Sequence, residues 1–209
     1  LPTQTVGGEP LTVRVGTIDV IPSTSGVVLE NCTNSSQIVN SADPGTLEVR
    51  GNVTLADADV NFGGTIALAE TAALVQRVGT VLAPGETDKR DSVADSFLPG
   101  GVQFDDPAGT GLFRVESGEA YVNGGAGMIP RRIEVTGGAL TMVQSAWYGK
   151  YSSAQSPSEL YVDGGRVNVS CRRGGKTGNA SPYNLFRDDF EARILVGAGG
   201  GTFAAINTV

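Results

Sequence analysis

The sequence predicts an all-β fold, a right-handed parallel β-helix (β-solenoid) with looped insertions, for a chain of 209 residues. Three observations support this prediction: apolar and polar residues alternate with a period of two, a strand–glycine–strand unit recurs, and amphipathic helix periodicity is nearly absent. An antiparallel β-sandwich is the alternative. We take residues 1–209 as a single domain and expect it to be a fragment of a larger protein.

Alternation is the first of these observations. It occurs in residues 11–15, 18–20, 47–49 and 53–55. Because successive side chains of a strand point to opposite faces, residues of one parity can face a core while the others face solvent. Only residues 65–78 also fit helical spacing, and the Gly63-Gly64 pair before them equally allows a strand followed by a turn.

Repetition is the second observation. Residues 133–142 and 160–169 both consist of an apolar-x-Val strand, a polar residue, a Gly-Gly pair, one variable residue and a second apolar strand. Looser, shortened or half copies are residues 113–122, 194–203, 47–55 and 63–68. A Gly-Gly pair suits a corner at which one residue takes a positive φ, and it also suits a two-residue hairpin turn. The better copies recur about every 20 to 35 residues, which favours stacked coils over hairpins.

The repeated units "RIEVTGGALTM", "ELYVDGGRVNV" and "RILVGAGGGTFAAIN" resemble those of autotransporter-associated β-strand repeat proteins and related bacterial surface parallel β-helix proteins. This resemblance implies a right-handed parallel β-helix at or beyond the cell surface that serves as an adhesin, spacer or scaffold. The chain departs from the family pattern in two respects: its units are unevenly spaced, and it lacks an element of the "NTYTGGT" type.

Composition excludes several functions. The chain has no histidine, so imidazole acid–base chemistry, Ser-His-Asp triads and histidine-based zinc sites are ruled out. Its net charge is -7 and its basic residues are scattered, which argues against nucleic acid as a partner. No apolar run approaches the roughly 18 residues that span a bilayer, so we expect no membrane insertion. The segment "GAGGGT" lacks the Gly-Lys-Ser/Thr ending of a phosphate-binding loop.

Two groups of residues are candidates for binding. Trp147, Tyr148 and Tyr151 form an aromatic cluster that could stack on a sugar ring or a partner surface, or could pack a loop. Asp57, Asp59 and Asn61 alternate along the chain and so share one face. Their oxygen atoms could coordinate calcium, although a polar outward strand face explains them equally well. We therefore predict no cofactor, with calcium as the alternative.

Catalysis requires a separate test, because polysaccharide lyases and hydrolases also use β-helices. Their sites need paired carboxylates together with an arginine. The acidic doublets are Asp105-Asp106 and Asp188-Asp189, and the basic doublets are Arg131-Arg132 and Arg172-Arg173. Adjacent residues of a strand point to opposite faces, so a doublet delivers one carboxylate to any groove. We interpret these doublets as solvated loop charge and predict that the chain is not an enzyme.

The sequence therefore predicts a non-catalytic structural or adhesive segment of a secreted or cell-surface bacterial protein. The alternatives are a carbohydrate-active β-helix (a polysaccharide lyase, a hydrolase or a tailspike-like protein) and a β-sandwich subunit of an extracellular filament or coat. The expected partners are surface or matrix glycans or proteins. Because the terminal segment "FAAINTV" breaks off in an apolar strand without a polar cap, we also expect further repeats, or copies of the chain, at the solenoid ends.

The cysteines and asparagines leave two questions open. Cys32 and Cys171 have no CxxC spacing, and the sequence does not decide whether they pair. Asn-x-Ser/Thr triplets, which make glycosylation possible, begin at Asn31, Asn34, Asn52, Asn168 and Asn179.

Overall fold

The computed structural model describes residues 3–6, 9–12, 27–35, 37–39, 46–61, 64–82, 102–123, 130–143, 158–170 and 192–206. The regular elements in these ranges are all β-strands, which confirms the all-β prediction for the described residues. The strands are β1 (Thr3–Val6), β2 (Glu9–Thr12), β3 (Val27–Glu30), β4 (Thr33–Asn34), β5 (Ile38–Val39), β6 (Thr46–Arg50), β7 (Asn52–Leu55), β8 (Val60–Asn61), β9 (Thr65–Leu68), β10 (Ala73–Gln76), β11 (Thr80–Leu82), β12 (Gln103–Asp105), β13 (Leu112–Val115), β14 (Glu119–Asn123), β15 (Arg132–Val135), β16 (Ala139–Val143), β17 (Ser158–Val162), β18 (Arg166–Ser170), β19 (Ala192–Val196) and β20 (Thr202–Ile206). Within the same ranges there is no helix long and apolar enough to cross a membrane.

Three parallel sheets organise these strands. The first sheet has the order β12-β9-β6-β3, the second β19-β17-β15-β13-β10-β7-β4, and the third β20-β18-β16-β14-β11-β8-β5. Strands β1 and β2 form a separate antiparallel pair. All ladders within the three sheets are parallel, so the described residues do not form the alternative antiparallel sandwich.

The chain visits the sheets in a fixed order. We call each set of consecutive strands that runs once through these sheets a pass. The described strands make four passes through the first, second and third sheets, followed by three passes through the second and third sheets. Phe113, Ile133, Leu160 and Ile194 hold the same register position in successive passes. The intervals between them, 20, 27 and 34 residues, lie within the spacing predicted from the repeats.

The glycine pairs are corners between sheets. Strands β15 and β16 flank Gly137-Gly138, yet each of them pairs with strands of neighbouring passes instead of with the other. The hairpin interpretation of this unit is therefore wrong. Gly138 has a φ of 63° and Gly164, in the next unit, a φ of 96°. The shortened copy at residues 47–55 turns at a different corner, since it joins the first sheet to the second.

The helical interpretation of residues 65–78 is also wrong. Strands β9 and β10 occupy this segment, and every second residue from Ile66 to Leu68 and from Leu74 to Gln76 is buried. A tight turn separates the strands, with Thr71 at a φ of 60°. The apolar residues at spacings of three and four come from two strands that face the same core.

The core lies between the three sheets and contains small aliphatic residues stacked in register. In the second sheet the buried positions hold Val53, Leu55, Leu74, Phe113, Val115, Ile133, Val135, Leu160 and Val162. Phe104 of the first sheet packs against Phe113 of the second, with ring centroids 5.0 Å apart and ring planes inclined at 42°. Parallel stacking brings equivalent residues together, so each pass covers the apolar side chains of the pass before it.

Candidate functional site

The outward surface of the second sheet carries a row of charged side chains. In each strand the residues on either side of a buried one point away from the core. In β15, for example, Arg132 and Glu134 flank the fully buried Ile133. The row comprises Arg77, Arg114, Glu116, Arg132, Glu134, Glu159 and Tyr161, and we call it the charged face.

Ion pairs cross the passes on the charged face. Glu134 receives two guanidinium groups: the Arg114 Nε donates to its Oε2, and the Arg132 Nε donates to its Oε1, each at 2.6 Å. Arg132 also donates from Nη1 to Oε2 of Glu159, at 2.9 Å. The Glu134 side chain is only 10% exposed, so water screens these pairs less than it screens pairs on an open surface.

A second branch extends the row toward earlier passes. The Arg77 Nε donates to Oε2 of Glu116 at 2.6 Å, and Arg114 Nη1 lies 3.9 Å from Oε1 of Glu116. Strands β10, β13, β15 and β17 are therefore linked by side chains as well as by their backbone ladders. Charges of both signs alternate along the row, which avoids repulsion between in-register neighbours.

Tyr161 is the aromatic member of the charged face. The Arg132 guanidinium carbon lies 5.6 Å from the centre of its ring, within the range of a cation–π contact. The Tyr161 hydroxyl donates to Oδ2 of Asp163 at 3.0 Å. This hydrogen bond to a carboxylate raises the pKa of Tyr161 above its ordinary value, because it stabilises the protonated phenol.

Asp106 stabilises the corner between the first and second sheets. It is fully buried, and its carboxylate accepts hydrogen bonds from the backbone N–H groups of Thr110 at 3.3 Å, Gly111 at 2.9 Å and Arg131 at 3.0 Å. The last of these donors belongs to the next pass. The prediction that Asp106 is solvated loop charge is therefore wrong, whereas its neighbour Asp105 is only partly buried.

The three predicted calcium ligands lie at the connection between the second and third sheets. Asp57, Asp59 and Asn61 are exposed and alternate with the buried Ala58 and Val60, so all three point away from the core. Asp57 has a φ of 60°, and Oδ1 of Asp59 accepts a hydrogen bond from the backbone N–H of Thr80 at 3.0 Å. Asp59 thus has a structural role of its own, and the calcium site stays a prediction.

Within the described ranges, no group of three or more histidine, cysteine, aspartate or glutamate side chains could hold a metal ion. Cys32 is a half-buried free cysteine, and burial raises the pKa of its thiol.

Several predicted residues lie outside the described ranges: Trp147, Tyr148, Tyr151, Cys171, Arg172, Arg173, Asp188 and Asp189.

Sequence reasoning missed the charged face, although the sequence contains a signal for it. If Phe113, Ile133 and Leu160 are aligned as equivalent core positions, the residues beside them fall into register. Arg114, Glu134 and Tyr161 then share one outward column. Opposite charges in one column of a parallel stack predict ion pairs between passes.

The charged face offers several kinds of contact to a polar partner. It combines guanidinium donors, carboxylate acceptors and an aromatic ring on one sheet surface. Both carboxylate oxygens of Glu134 are engaged by arginines. The arrangement therefore suits the stabilisation of stacked strands and the recognition of polar surfaces better than proton transfer.

No protein-family model, curated protein or solved structure matches this chain. The resemblance to the autotransporter-associated repeats therefore depends on the sequence units alone.

Proposed function

We propose that this chain is a non-catalytic structural or adhesive segment of a secreted or cell-surface bacterial protein, built as a right-handed parallel β-helix. Three parallel sheets visited in a fixed order support the stacked-coil part of this proposal. Right-handedness follows from the strong preference of parallel crossover connections for that hand.

The observation that carries the proposal is that the carboxylates are bound by groups of this same chain. On the charged face, Glu134 and Glu159 bind arginines of their own or a neighbouring pass, and Asp106 binds backbone groups of two passes. These carboxylates stabilise the stack. A rigid rod with a polar outer surface is suited to holding partners or spacing them apart.

Adhesion would involve two surfaces of different chemistry. Glycans are recognised by aromatic stacking together with hydrogen bonding, which the predicted aromatic cluster of Trp147, Tyr148 and Tyr151 and the charged face could supply. Cell-surface or matrix proteins are the other partner class. Calcium held by Asp57, Asp59 and Asn61 would be an accessory to this role.

A glycan array with the purified chain tests the adhesive proposal. We expect binding to a restricted set of acidic or neutral polysaccharides, and loss of that binding in the variant W147A/Y148A/Y151A. The matched control is Y121A, which removes a partly buried tyrosine from the outward side of the third sheet. Equal loss of binding in both variants would contradict a role for the aromatic cluster.

A cleavage assay tests the non-enzyme proposal. The bound polysaccharides are incubated with the chain, with and without calcium, and scored for unsaturated products and new reducing ends. We expect neither product. Unsaturated products would overturn the proposal in favour of a polysaccharide lyase, and new reducing ends without unsaturated products would overturn it in favour of a hydrolase; loss of either activity on calcium removal would assign calcium a role in it.

A further inference from the structure

Three arginines of the charged face, scattered in the sequence, lie on a diagonal across neighbouring strands. Relative to Arg114 on β13, Arg132 lies on the next strand and two residue positions earlier in the register, and Arg77 lies just past the preceding strand and two positions later. Neighbouring strands are about 4.8 Å apart and successive outward residues about 6.6 Å apart along a strand, so the Cα atoms of adjacent arginines lie about 8 Å apart. We call this evenly spaced row of cations the arginine diagonal.

A second diagonal, of glutamates, lies one strand further along the sheet. Each arginine binds the glutamate that holds the same register position on the following strand. The three pairs are Arg77 with Glu116, Arg114 with Glu134 and Arg132 with Glu159. The formal charges of the two diagonals cancel, so any preference of this surface for anions depends on which charges are more accessible.

The arginine side chains are more accessible to solvent than the glutamates to which they are bound. The exposed fractions are 58% for Arg77 against 29% for Glu116, 35% for Arg114 against 10% for Glu134, and 39% for Arg132 against 16% for Glu159. Arginine has the longer side chain and keeps its charged head in water while its stem lies along the protein surface. A ligand that approaches the charged face therefore meets cations first.

The guanidinium groups also keep hydrogen-bond donors that the chain does not use. Each guanidinium carries five N–H donors. In the hydrogen bonds between described residues, Arg77 and Arg114 donate one each and Arg132 donates two. Both carboxylate oxygens of Glu134, by contrast, already accept hydrogen bonds. The surface thus has a surplus of donors of the kind that binds carboxylates.

We propose that the arginine diagonal binds a linear polysaccharide with carboxylate groups, such as a polymer that contains uronic acids. This inference rests on the adhesive function proposed above and names the class of glycan that the charged face takes. Three evenly spaced cations in one row match a chain whose carboxylates recur at regular intervals, and each guanidinium fork matches one carboxylate. The net charge of -7 opposes binding of nucleic acids, whose backbone charges are more closely spaced.

Binding of the full chain to immobilised hyaluronan and alginate tests the proposal, because the two polymers differ in the spacing of their carboxylates. The matched ligands are their methyl esters, which keep the sugar backbone but lose the charge. We expect binding to at least one of the two acids and about tenfold weaker binding to its ester. Raising sodium chloride from about 0.05 M to about 0.3 M should weaken binding to the acid, because the arginines are exposed to screening.

Two substitutions on the diagonals should change the affinity in opposite directions. R77Q removes the most exposed cation of the row and should weaken binding about fivefold, whereas E116Q removes a carboxylate beside that cation and should strengthen it. The control R50Q removes an arginine that is 48% exposed and paired with Glu48, but that lies on the first sheet. It should leave the affinity unchanged. Circular dichroism confirms that each variant is folded.

Several outcomes would overturn the proposal. They are binding to neither acid, equal binding to an acid and its ester, equal effects of R77Q and R50Q, weaker binding in E116Q, and tighter binding to single-stranded DNA than to either polysaccharide. Binding confined to neutral glycans, or lost in W147A/Y148A/Y151A but not in R77Q, would also overturn it while leaving the adhesive function in place. The two proposals can therefore be distinguished when one fails.

Discussion

Gly118 lies directly over Gly79 at the corner between the second and third sheets, and no space remains between them for a side chain. A Cβ atom on Gly118 would overlap the Gly79 carbonyl oxygen, and that oxygen accepts a hydrogen bond from the backbone N–H of Glu119 at 3.1 Å. Both glycines have positive φ angles, 82° and 94°. The recurring glycine of the repeated unit is thus required by contact between passes as well as by the turn itself.

This relationship predicts different costs for two glycine substitutions. G118A should lower the free energy of unfolding by about 3 kcal/mol, because it adds a backbone clash to the strain of a positive φ. G200A should cost about 1 kcal/mol, since Gly200 has a φ of 69° but no atom lies within 4 Å of the place that an alanine Cβ would occupy. Urea unfolding measures both values. Equal losses would mean that the corners are not in contact.

The charged face predicts a stability difference between two glutamates. E134Q should lower the free energy of unfolding by about 1 to 2 kcal/mol, because it weakens two arginine pairs at a mostly buried carboxylate. E48Q alters a pair with Arg50 whose side chains are 35% and 48% exposed, and should cost under about 0.5 kcal/mol.

Salt provides the check on this prediction. E134Q is expected to lower the free energy of unfolding more than E48Q does. Because screening weakens ion pairs, this difference should become smaller when unfolding is repeated in about 1 M sodium chloride. A gap that is insensitive to salt would indicate that packing of the Glu134 side chain, and not its charge, accounts for the difference.

The buried carboxylate at the corner between the first and second sheets predicts a third result. D106N replaces one acceptor oxygen by an amide that faces backbone N–H donors, so we expect a loss of about 2 to 3 kcal/mol. D105N, at the partly buried neighbour, should change stability by less than about 0.5 kcal/mol. Thermal unfolding of the two variants side by side would reveal the difference, and similar melting temperatures would refute the structural role of Asp106.

The hydrogen bond between Tyr161 and Asp163 predicts a pH dependence. It raises the pKa of Tyr161 in the folded chain, so its contribution to stability is fully present below the unfolded pKa of about 10 and is lost as pH rises through the folded pKa. D163N should return the Tyr161 pKa toward its ordinary value. Carbon-13 chemical shifts of labelled tyrosine rings follow the titration residue by residue.

Tyr121 is the internal control for that titration. Its pKa is raised mainly by burial and secondly by its hydrogen bond to Glu119, neither of which involves Asp163. Its titration should therefore be the same in D163N as in the unsubstituted chain. A Tyr161 titration that D163N leaves unmoved would contradict the assigned cause.

The local pattern of apolar and polar residues predicted most strands and corners, but it did not predict the secondary structure of every segment. Alternation placed Leu47, Val53, Phe113, Ile133 and Leu160 on the inside, and all five are buried. Apolar spacings of three and four were misleading between residues 65 and 78, because two short strands joined by a tight turn can match helical spacing over a few residues.

Polar residues in the interior were the least predictable. Gln76 occupies a core position otherwise held by leucine or valine, and its amide nitrogen donates to the carbonyl oxygens of Gly79 and Glu119 at 2.8 and 2.9 Å. Asp106 likewise binds the backbone of a pass that begins beyond it in sequence. Each of the two side chains has one partner that is distant along the chain, Glu119 for Gln76 and Arg131 for Asp106, and no local pattern indicates that partner.

The sequence by itself determined that the chain forms strands, that glycines mark their corners and which side of each strand is apolar, because these properties depend on the backbone and on a period of two. Only the tertiary structure decided that the corners join different sheets and that Arg114, Glu134 and Arg132 meet. Those outcomes depend on the register between passes separated by irregular intervals, and register is set by packing across the whole stack.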